Sequence, residues 1–281
     1  MNRSLILGSA AALIVCVLIA PESGAVQAQT LSPDFTHFAY DRNASLNLKR
    51  ISIKVRDGVT IEDITYTGAG GDTVPAYLVV PTGAGKFAGI IWGHWLMQGA
   101  VNANREEFLE EAIALAPAGV VSLLIDDAHV RPDFKPVPGI GPALVAEQVV
   151  DLRRGLDLLL SRPDIDAARM AYVGHSYDSV TGAILDAMDK RFAAFVFMGG
   201  PQFGFGYTEP YVSELGPAPA LFQYGLHDKL IPVAAAKEYA AKASGPKTVK
   251  FYDAGHALNA KARMDRDGFL RKTLGLTSLT K

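Results

Sequence analysis

Three residues in the second half of the chain have the types and the order needed for nucleophilic catalysis. Ser176 lies in the segment YVGHSYDSV (172–180), Asp228 follows the apolar segment APALFQYGLH, and His256 follows KTVKFYDAG. A serine hydroxyl is a weak nucleophile until a base takes its proton, and the base is a histidine whose ring an acid orients. The chain therefore contains the parts of a Ser-His-Asp triad in the order serine, acid, histidine.

The sequence around Ser176 is G-x-S-x-D, one residue away from the G-x-S-x-G pattern of a serine on a strained turn between a strand and a helix. Alone this string is a weak signal. Its context strengthens it, because Ser176 follows a predicted strand, and Asp228 and His256 each follow another, at the edge where parallel sheets form sites. We expect Ser176 to be the nucleophile, His256 its base and Asp228 the acid. The alternative for Asp228 is an ordinary helix-capping residue.

An acyl-transfer site also needs two main-chain donors for the oxyanion. One is expected at Tyr177 N–H, directly after the nucleophile, and the other in the loop after the strand GIIWGH. Leu96 is the first choice in that loop and Trp95 the second. Trp95 and Asp178 are further candidates to line the site.

Asp178 replaces the second glycine of the motif and has two interpretations. An acid in the first turn of a helix suits the positive helix end, in which case Asp178→Asn costs a little stability. Alternatively, its charge opposes the oxyanion and favours the protonated form of His256, which moves the activity profile to higher pH, or it binds a positive group on the substrate.

The elements that must position these residues alternate between strand and helix. Short apolar runs such as AGIIWGH and VVSLLIDD read as buried parallel strands, and Val145, Val149, Leu152, Leu156 and Leu159 form one helical face. A helix is also expected from Asn102 or Asn104 to about Ala116. We predict one α/β domain with a mostly parallel sheet, helices on both faces, antiparallel strands at the N-terminal edge and no large lid.

The first 28 residues have the pattern of a secretory signal peptide. Arg3 precedes an apolar run from Leu5 to Ala20, and small residues end in VQA at Ala28. We expect residues 1–28 to be removed, residues 29–281 to form the hydrolase domain, and the mature chain to be secreted or periplasmic and not membrane-bound. The alternative is a membrane anchor, although the run is short for a full span. Cys16 is the only cysteine, so the mature chain is expected to have no disulfide.

The net charge and the residue types of the chain limit the kinds of partner and cofactor that we expect. The net charge is −2, which does not favour a nucleic-acid surface. Asp126, Asp127 and His129 are conceivable metal ligands, but nothing else converges on a metal spacing, so we expect no metal and no cofactor. The expected partner is a small-molecule ester, and the sequence leaves the oligomeric state open.

From about Lys54 to the C-terminus the chain resembles the α/β-hydrolase superfamily, within it the dienelactone hydrolase-like and acetyl-xylan-esterase-like proteins. The resemblance is carried by four segments, VPAYLVVPTGAGKFAGIIWGHW, DLRRGLDLLLSRPDIDAARMAYVGHSYD, YGLHDKLIP and AGHAL. It implies the superfamily's fold and places Ser176, Asp228 and His256 on its triad positions. The chain departs from the pattern at Trp95, where the family often has glycine, and at Asp178. Dienelactone hydrolases use a cysteine nucleophile, so their substrate is not carried over.

The sequence thus predicts a secreted serine hydrolase that cleaves carboxylic esters through an acyl-enzyme. Two alternatives stay open. One is a peptidase or amidase with the same triad, and the other is a non-catalytic binding protein on the same fold.

Overall fold

A central sheet forms from nine short segments rich in apolar and β-branched residues. In the computed structural model, which describes residues 32–96, 100–132, 134, 141–203 and 208–276, the strands are β1 (Lys49–Arg56), β2 (Val59–Thr67), β3 (Thr73–Val80), β4 (Phe87–Gly93), β5 (Val120–Ile125), β6 (Ile165–His175), β7 (Ala194–Met198), β8 (Ala220–Gly225) and β9 (Lys247–Tyr252). The helices are α1 (Leu109–Leu115), α2 (Pro142–Leu160), α3 (Tyr177–Met188), α4 (Val233–Lys242) and α5 (Ala260–Thr273).

The strand order is β1-β2-β3-β5-β4-β6-β7-β8-β9. The first three strands pair antiparallel with one another and β3 pairs antiparallel with β5, whereas every pair from β5 through β4 to β9 is parallel. Asp57 and Gly58 make the β1–β2 turn with φ values of 53° and 74°. The predicted α/β architecture with an antiparallel N-terminal edge is confirmed.

Helices cover both faces of the sheet, and strand residues alternate between them. Tyr172 of β6 packs in the apolar cluster that includes residues of α2, α3 and α4. Its neighbours Ala171 and Val173 pack in the cluster that includes residues of α1 and α5. Both faces of β6 are therefore buried from Met170 to His175, which is why its second half, MAYVGH, has no charged residue.

The helix before β5 is shorter than its sequence predicts. α1 begins at Leu109, and residues 101–108 form turns in which Asn104 Oδ1 accepts the Glu106 N–H at 2.7 Å. The expected start at Asn102 or Asn104 is therefore wrong. This turn carries Glu107 toward the carboxyl ends of β4 and β6.

The connection between β7 and β8 is short. Its described part, which omits 204–207, holds one 3-10 helix, Glu209–Glu214, and no lid domain. No helix among the described residues is long and apolar enough to cross a membrane. The predicted signal peptide, residues 1–28, lies outside the described residues.

Candidate active site

Ser176 stands on the strained turn between β6 and α3 that its motif predicts. Its φ is 54° and its ψ is −107°, a conformation that a residue with a side chain rarely adopts and that costs about 1–3 kcal/mol. The main chain is held there because Ser176 N–H donates to the Met198 carbonyl at 2.7 Å. Gly174 is needed in this turn, since a Cβ at that position would lie 2.2 Å from the Asp178 carbonyl oxygen.

The structure brings Asp228 and His256 together from loops after neighbouring strands. Asp228 follows β8 and His256 follows β9, and His256 Nδ1 lies 2.7 Å from Asp228 Oδ2. Asp228 Oδ1 accepts the N–H groups of Leu230 at 2.8 Å and Ile231 at 3.0 Å. Burial opposes ionisation of Asp228, but the hydrogen bonds from His256 and from these N–H groups outweigh it and lower the pKa of the carboxyl. Asp228 is therefore a fixed carboxylate facing the imidazole.

The pairing determines which nitrogen of His256 can act as a base. Because the Asp228 carboxylate accepts, Nδ1 carries the hydrogen of the neutral ring and the lone pair is on Nε2. Nε2 is buried and has no hydrogen-bond partner among the described residues. The ring rests against Gly199, where a Cβ would lie 3.0 Å from His256 Cε1.

Two main-chain N–H groups can serve an oxyanion next to Ser176. Tyr177 is the first residue of α3, where a helical N–H has no partner within the helix. In the loop after β4, Trp95 N–H already donates to Glu107 Oε2 at 2.8 Å. That leaves Leu96, whose N–H makes no hydrogen bond to a described residue, and favours it over Trp95 as the second donor.

Several solved structures are similar to this chain. An acetyl xylan esterase from Paenibacillus sp. R4 has a TM-score of 0.65 at 20% identity, with 81% of this chain and 89% of that chain covered. Acetyl xylan esterase 1 from Thermoanaerobacterium sp. JW/SL YS485 has a TM-score of 0.62 at 17% identity, covering 80% and 87%. A cold-adapted esterase from an Arctic intertidal metagenomic library has a TM-score of 0.63 at 16% identity, covering 79% and 97%. The chain has the α/β-hydrolase fold.

Comparisons of the amino-acid sequence identify no related protein. No family model matches the chain, and no curated protein matches it. The likeness to α/β-hydrolases is therefore one of fold, and the chemistry must be argued from the residues of this chain.

One pair of side chains beside the candidate site was missed by the sequence reasoning. Glu107 Oε1 lies 2.5 Å from His175 Nδ1, and His175 Nε2 lies 3.0 Å from the His256 carbonyl oxygen. The Trp95 ring stacks on His175, with centroids 5.1 Å apart, and lies 6.4 Å from the His256 ring. Trp95 therefore lies beside the rings of His175 and His256. His175 stands in the motif, but Glu107 is 68 residues away and carries no local signal.

Asp178, the other candidate to line the site, is fully buried, with no exposed surface. It occupies the first turn of α3, as predicted, but its carboxylate does not reach the site surface. The space that the Asp178 carboxyl occupies is left open by Gly93 of β4, where a Cβ would lie 2.0 Å from Asp178 Oδ2. Asp178 replaces the second glycine of the motif, and it fits because Gly93, in β4, has no side chain.

The Asp178 carboxyl lies in a cluster of buried polar groups. Asp178 Oδ1 accepts hydrogen bonds from Thr181 Oγ1 at 2.6 Å and Gln148 Nε2 at 3.1 Å. Gln148 Nε2 also donates to Asp127 Oδ1 at 2.5 Å. Burial raises the pKa of Asp178 to about 7, and burial together with the nearby Asp178 charge raises the pKa of Asp127 well above its usual value. Two carboxyls this close cannot both ionise easily, so the pair holds a proton.

Near Asp127 the structure gathers ligand-type atoms of His94, Asp127 and His129 within 4.8 Å of one another. Burial lowers the pKa of His94 to about 4 and that of His129 to about 3, so both rings are neutral. His94 is fully engaged, because Nδ1 faces the Trp95 carbonyl at 2.9 Å and Nε2 accepts the Asp127 N–H at 3.1 Å. The group offers a metal two open side chains, fewer than the three or four protein ligands of a zinc site. Asp126 is engaged elsewhere, accepting the Arg105 N–H at 2.9 Å.

Proposed function

We propose that this protein hydrolyses carboxylic esters through an acyl-enzyme formed on Ser176. The observation that carries the proposal is the contact of 2.7 Å between Asp228 Oδ2 and His256 Nδ1, which leaves a free lone pair on His256 Nε2. The strained Ser176 turn lies at the same edge of the sheet, at the carboxyl ends of the parallel strands. The α/β-hydrolase fold and esterases among its structural neighbours support the same reaction class.

The reaction follows from the roles of these groups. Ser176 Oγ attacks the ester carbonyl while His256 Nε2 takes the hydroxyl proton, and the resulting oxyanion accepts hydrogen bonds from the N–H groups of Tyr177 and Leu96. The C–O bond to the alcohol then breaks, and the proton on His256 goes to the leaving oxygen. Water adds to the acyl group with His256 again as the base, which releases the acid and restores Ser176.

The Ser176 hydroxyl makes no hydrogen bond to a described residue. In ligand-free enzymes the contact between nucleophile and base is often long and tightens when substrate binds. The geometry is therefore compatible with a base that engages the hydroxyl in the substrate complex.

A fluorophosphonate probe tests the proposal. The wild-type protein should be labelled at Ser176, and Ser176→Ala should not be labelled while keeping its circular dichroism spectrum. An unlabelled wild-type protein that is folded would instead favour a non-catalytic binding protein on this fold. Parallel assays on a matched ester and amide of the same acyl group would show an amidase if the amide were cleaved faster.

We also propose that the protein is exported and that residues 1–28 are removed. The support is the sequence pattern of Arg3, the apolar run and the small residues ending at Ala28. Mass spectrometry of the protein from its native host should give an N-terminus at Gln29. Recovery of the chain with Met1 in the cytosol would contradict export.

A further inference from the structure

The Glu107 side chain joins two parts of the site that come from distant segments of the chain. It is 9% exposed, and its two oxygens have different partners. Oε2 accepts the Trp95 N–H at 2.8 Å, in the loop that carries the oxyanion donor Leu96. Oε1 lies 2.5 Å from His175 Nδ1, directly before the nucleophile. A single carboxylate is therefore hydrogen-bonded to the oxyanion loop and to the last residue of β6, directly before Ser176.

His175 extends this connection to the base. Its side chain is 1% exposed, and its Nε2 lies 3.0 Å from the His256 carbonyl oxygen. A carbonyl oxygen can only accept, so Nε2 carries a hydrogen. The contact between His175 Nδ1 and Glu107 Oε1 needs a second hydrogen, which lies between these two atoms. The hydrogen bonds thus run without a break from Trp95 N–H through Glu107 and His175 to the main chain of His256.

Ring stacking reinforces the same connection. The Trp95 indole lies over His175 at an interplanar angle of 16°, and the rings of His175 and His256 have centroids 5.2 Å apart at 29°. Asp228 holds the His256 ring at Nδ1, and His175 holds the His256 main chain. The base is therefore fixed at two points, one of which also fixes the oxyanion loop.

We propose that Glu107 and His175 are a positioning pair that sets the distance between the oxyanion donor of Leu96 and the base His256. The inference rests on the proposed ester hydrolysis. Neither side chain needs to touch substrate, because both act through the main chain of residues that do. A displacement of about 1 Å in a reacting group can cost about 100-fold in rate, so loss of this pair should lower kcat much more than it raises KM.

Two substitutions at Glu107 separate position from charge. Glu107→Ala removes both hydrogen bonds and should lower kcat about 10- to 100-fold, with KM for a short-chain ester changed by less than about threefold. Glu107→Gln can keep the geometry, since its oxygen accepts from Trp95 N–H and its amide donates to His175 Nδ1, which leaves the hydrogen on Nε2. We expect Gln to restore kcat to within about fivefold of the wild type.

A third variant tests whether the two residues act together. His175→Phe keeps a ring next to Trp95 and His256 but removes both hydrogen bonds of His175, so it should lose about as much kcat as Glu107→Ala. The double variant should be no worse than either single one, because the loss is shared. The matched control is Glu106→Ala, a neighbouring exposed carboxylate, which should keep wild-type kcat.

The activity of the wild-type protein separates failure of the proposed function from failure of the positioning pair. If the wild-type protein does not react with the fluorophosphonate or cleave esters, the proposed function fails. If the wild type is active, the positioning pair is overturned when folded Glu107→Ala keeps its kcat, when Glu107→Gln falls as far as Glu107→Ala, or when the double variant is additive. Should Glu107→Ala not fold, the comparison of folded His175→Phe with Glu107→Gln decides: a loss of less than about threefold in His175→Phe overturns the proposal.

Discussion

Two clusters of carboxyl and imidazole groups adjoin the Ser176 turn, and they hold their protons differently. The His256 cluster consists of Glu107, His175, Asp228 and His256, and each of its carboxylates is paired with an imidazole N–H. The Asp178 cluster consists of His94, Asp127, His129, Gln148 and Asp178, and its two carboxyls lie against each other and share the Gln148 amide. The same residue types thus give carboxyl–imidazole hydrogen bonds in one place and a protonated carboxyl pair in the other.

The difference follows from the donors available to each carboxyl. Asp228 receives two main-chain N–H groups and an imidazole N–H, so the pKa of its carboxyl falls despite burial. Asp178 receives one hydroxyl and one amide, which do not offset complete burial, and the pKa of its carboxyl rises to about 7. Both carboxyl side chains are buried, so burial alone does not explain the opposite shifts of their pKa values, whereas the number and type of their donors does.

The largest effect should come from Ser176, the proposed nucleophile next to the His256 cluster. Ser176→Ala removes the group that forms the acyl bond, and we expect kcat for a short-chain aryl ester to fall about 10⁴-fold or more. Steady-state kinetics would measure it, with the circular dichroism spectrum unchanged. Retention of more than a few per cent of wild-type activity would place the nucleophile elsewhere.

Asp228→Asn should have the next largest effect, about 10²- to 10⁴-fold in kcat. The N–H groups of Leu230 and Ile231 will hold the amide oxygen, so the amide N–H₂ will face His256 Nδ1 and drive the hydrogen to Nε2. That tautomer cannot accept the Ser176 proton.

An exposed aspartate provides the control for this change. Asp253 lies 2.6 Å from His227 Nε2, but its side chain is 88% exposed. Asp253→Asn should therefore leave kcat unchanged. Equal losses in the two variants, measured with the same ester, would contradict the assignment of Asp228 as the acid.

Asp178→Asn should change the pH dependence of stability. The pKa of the Asp178 carboxyl is about 7 in the folded protein against 3.8 in the unfolded chain, because burial disfavours its charge. Between pH 4 and 7 the unfolded chain has lost this proton while the folded protein keeps it, so stability falls as pH rises through this window and levels off above it. The amide carries no charge and can still donate to Asp127, so the variant should be more stable than the wild type at pH 8 by about 1–3 kcal/mol.

Denaturant unfolding at pH 5 and pH 8 measures this difference. The exposed Asp253→Asn variant is again the control and should follow the wild-type curve. Lower stability of Asp178→Asn at pH 8 would instead support the simpler interpretation of Asp178 as an acid that stabilises the start of α3.

The smallest effect is expected for substrate choice in Asp178→Asn. Because the carboxyl has no exposed surface, it cannot contact a substrate group, and the ratio of kcat/KM for a neutral and a cationic ester should stay within about twofold of the wild type. A larger change in this ratio would show that the Asp178 charge is felt at the site and would break the separation between the two clusters.

The sequence by itself determined the positions that follow strands. Ser176 and Asp228 each follow an apolar, buried strand, and His256 follows the edge strand KTVKFY. Because parallel strands end at one edge of a sheet, the loops after them were expected to meet there. The antiparallel N-terminal edge and the helices on both faces followed from the same local periodicity. Each of these features depends on residues close in sequence, and local patterns therefore predict them.

Tertiary structure alone decided the contacts between distant segments. Glu107 reaches His175 from a turn where the sequence predicts a helix, and nothing near Glu107 marks it. Asp178 looks like a residue at a helix start, yet the absence of a side chain at Gly93, in another strand, lets it bury its carboxyl against Asp127 and Gln148. Its charge depends on those neighbours, and packing across the sheet, which no local pattern records, brings them together.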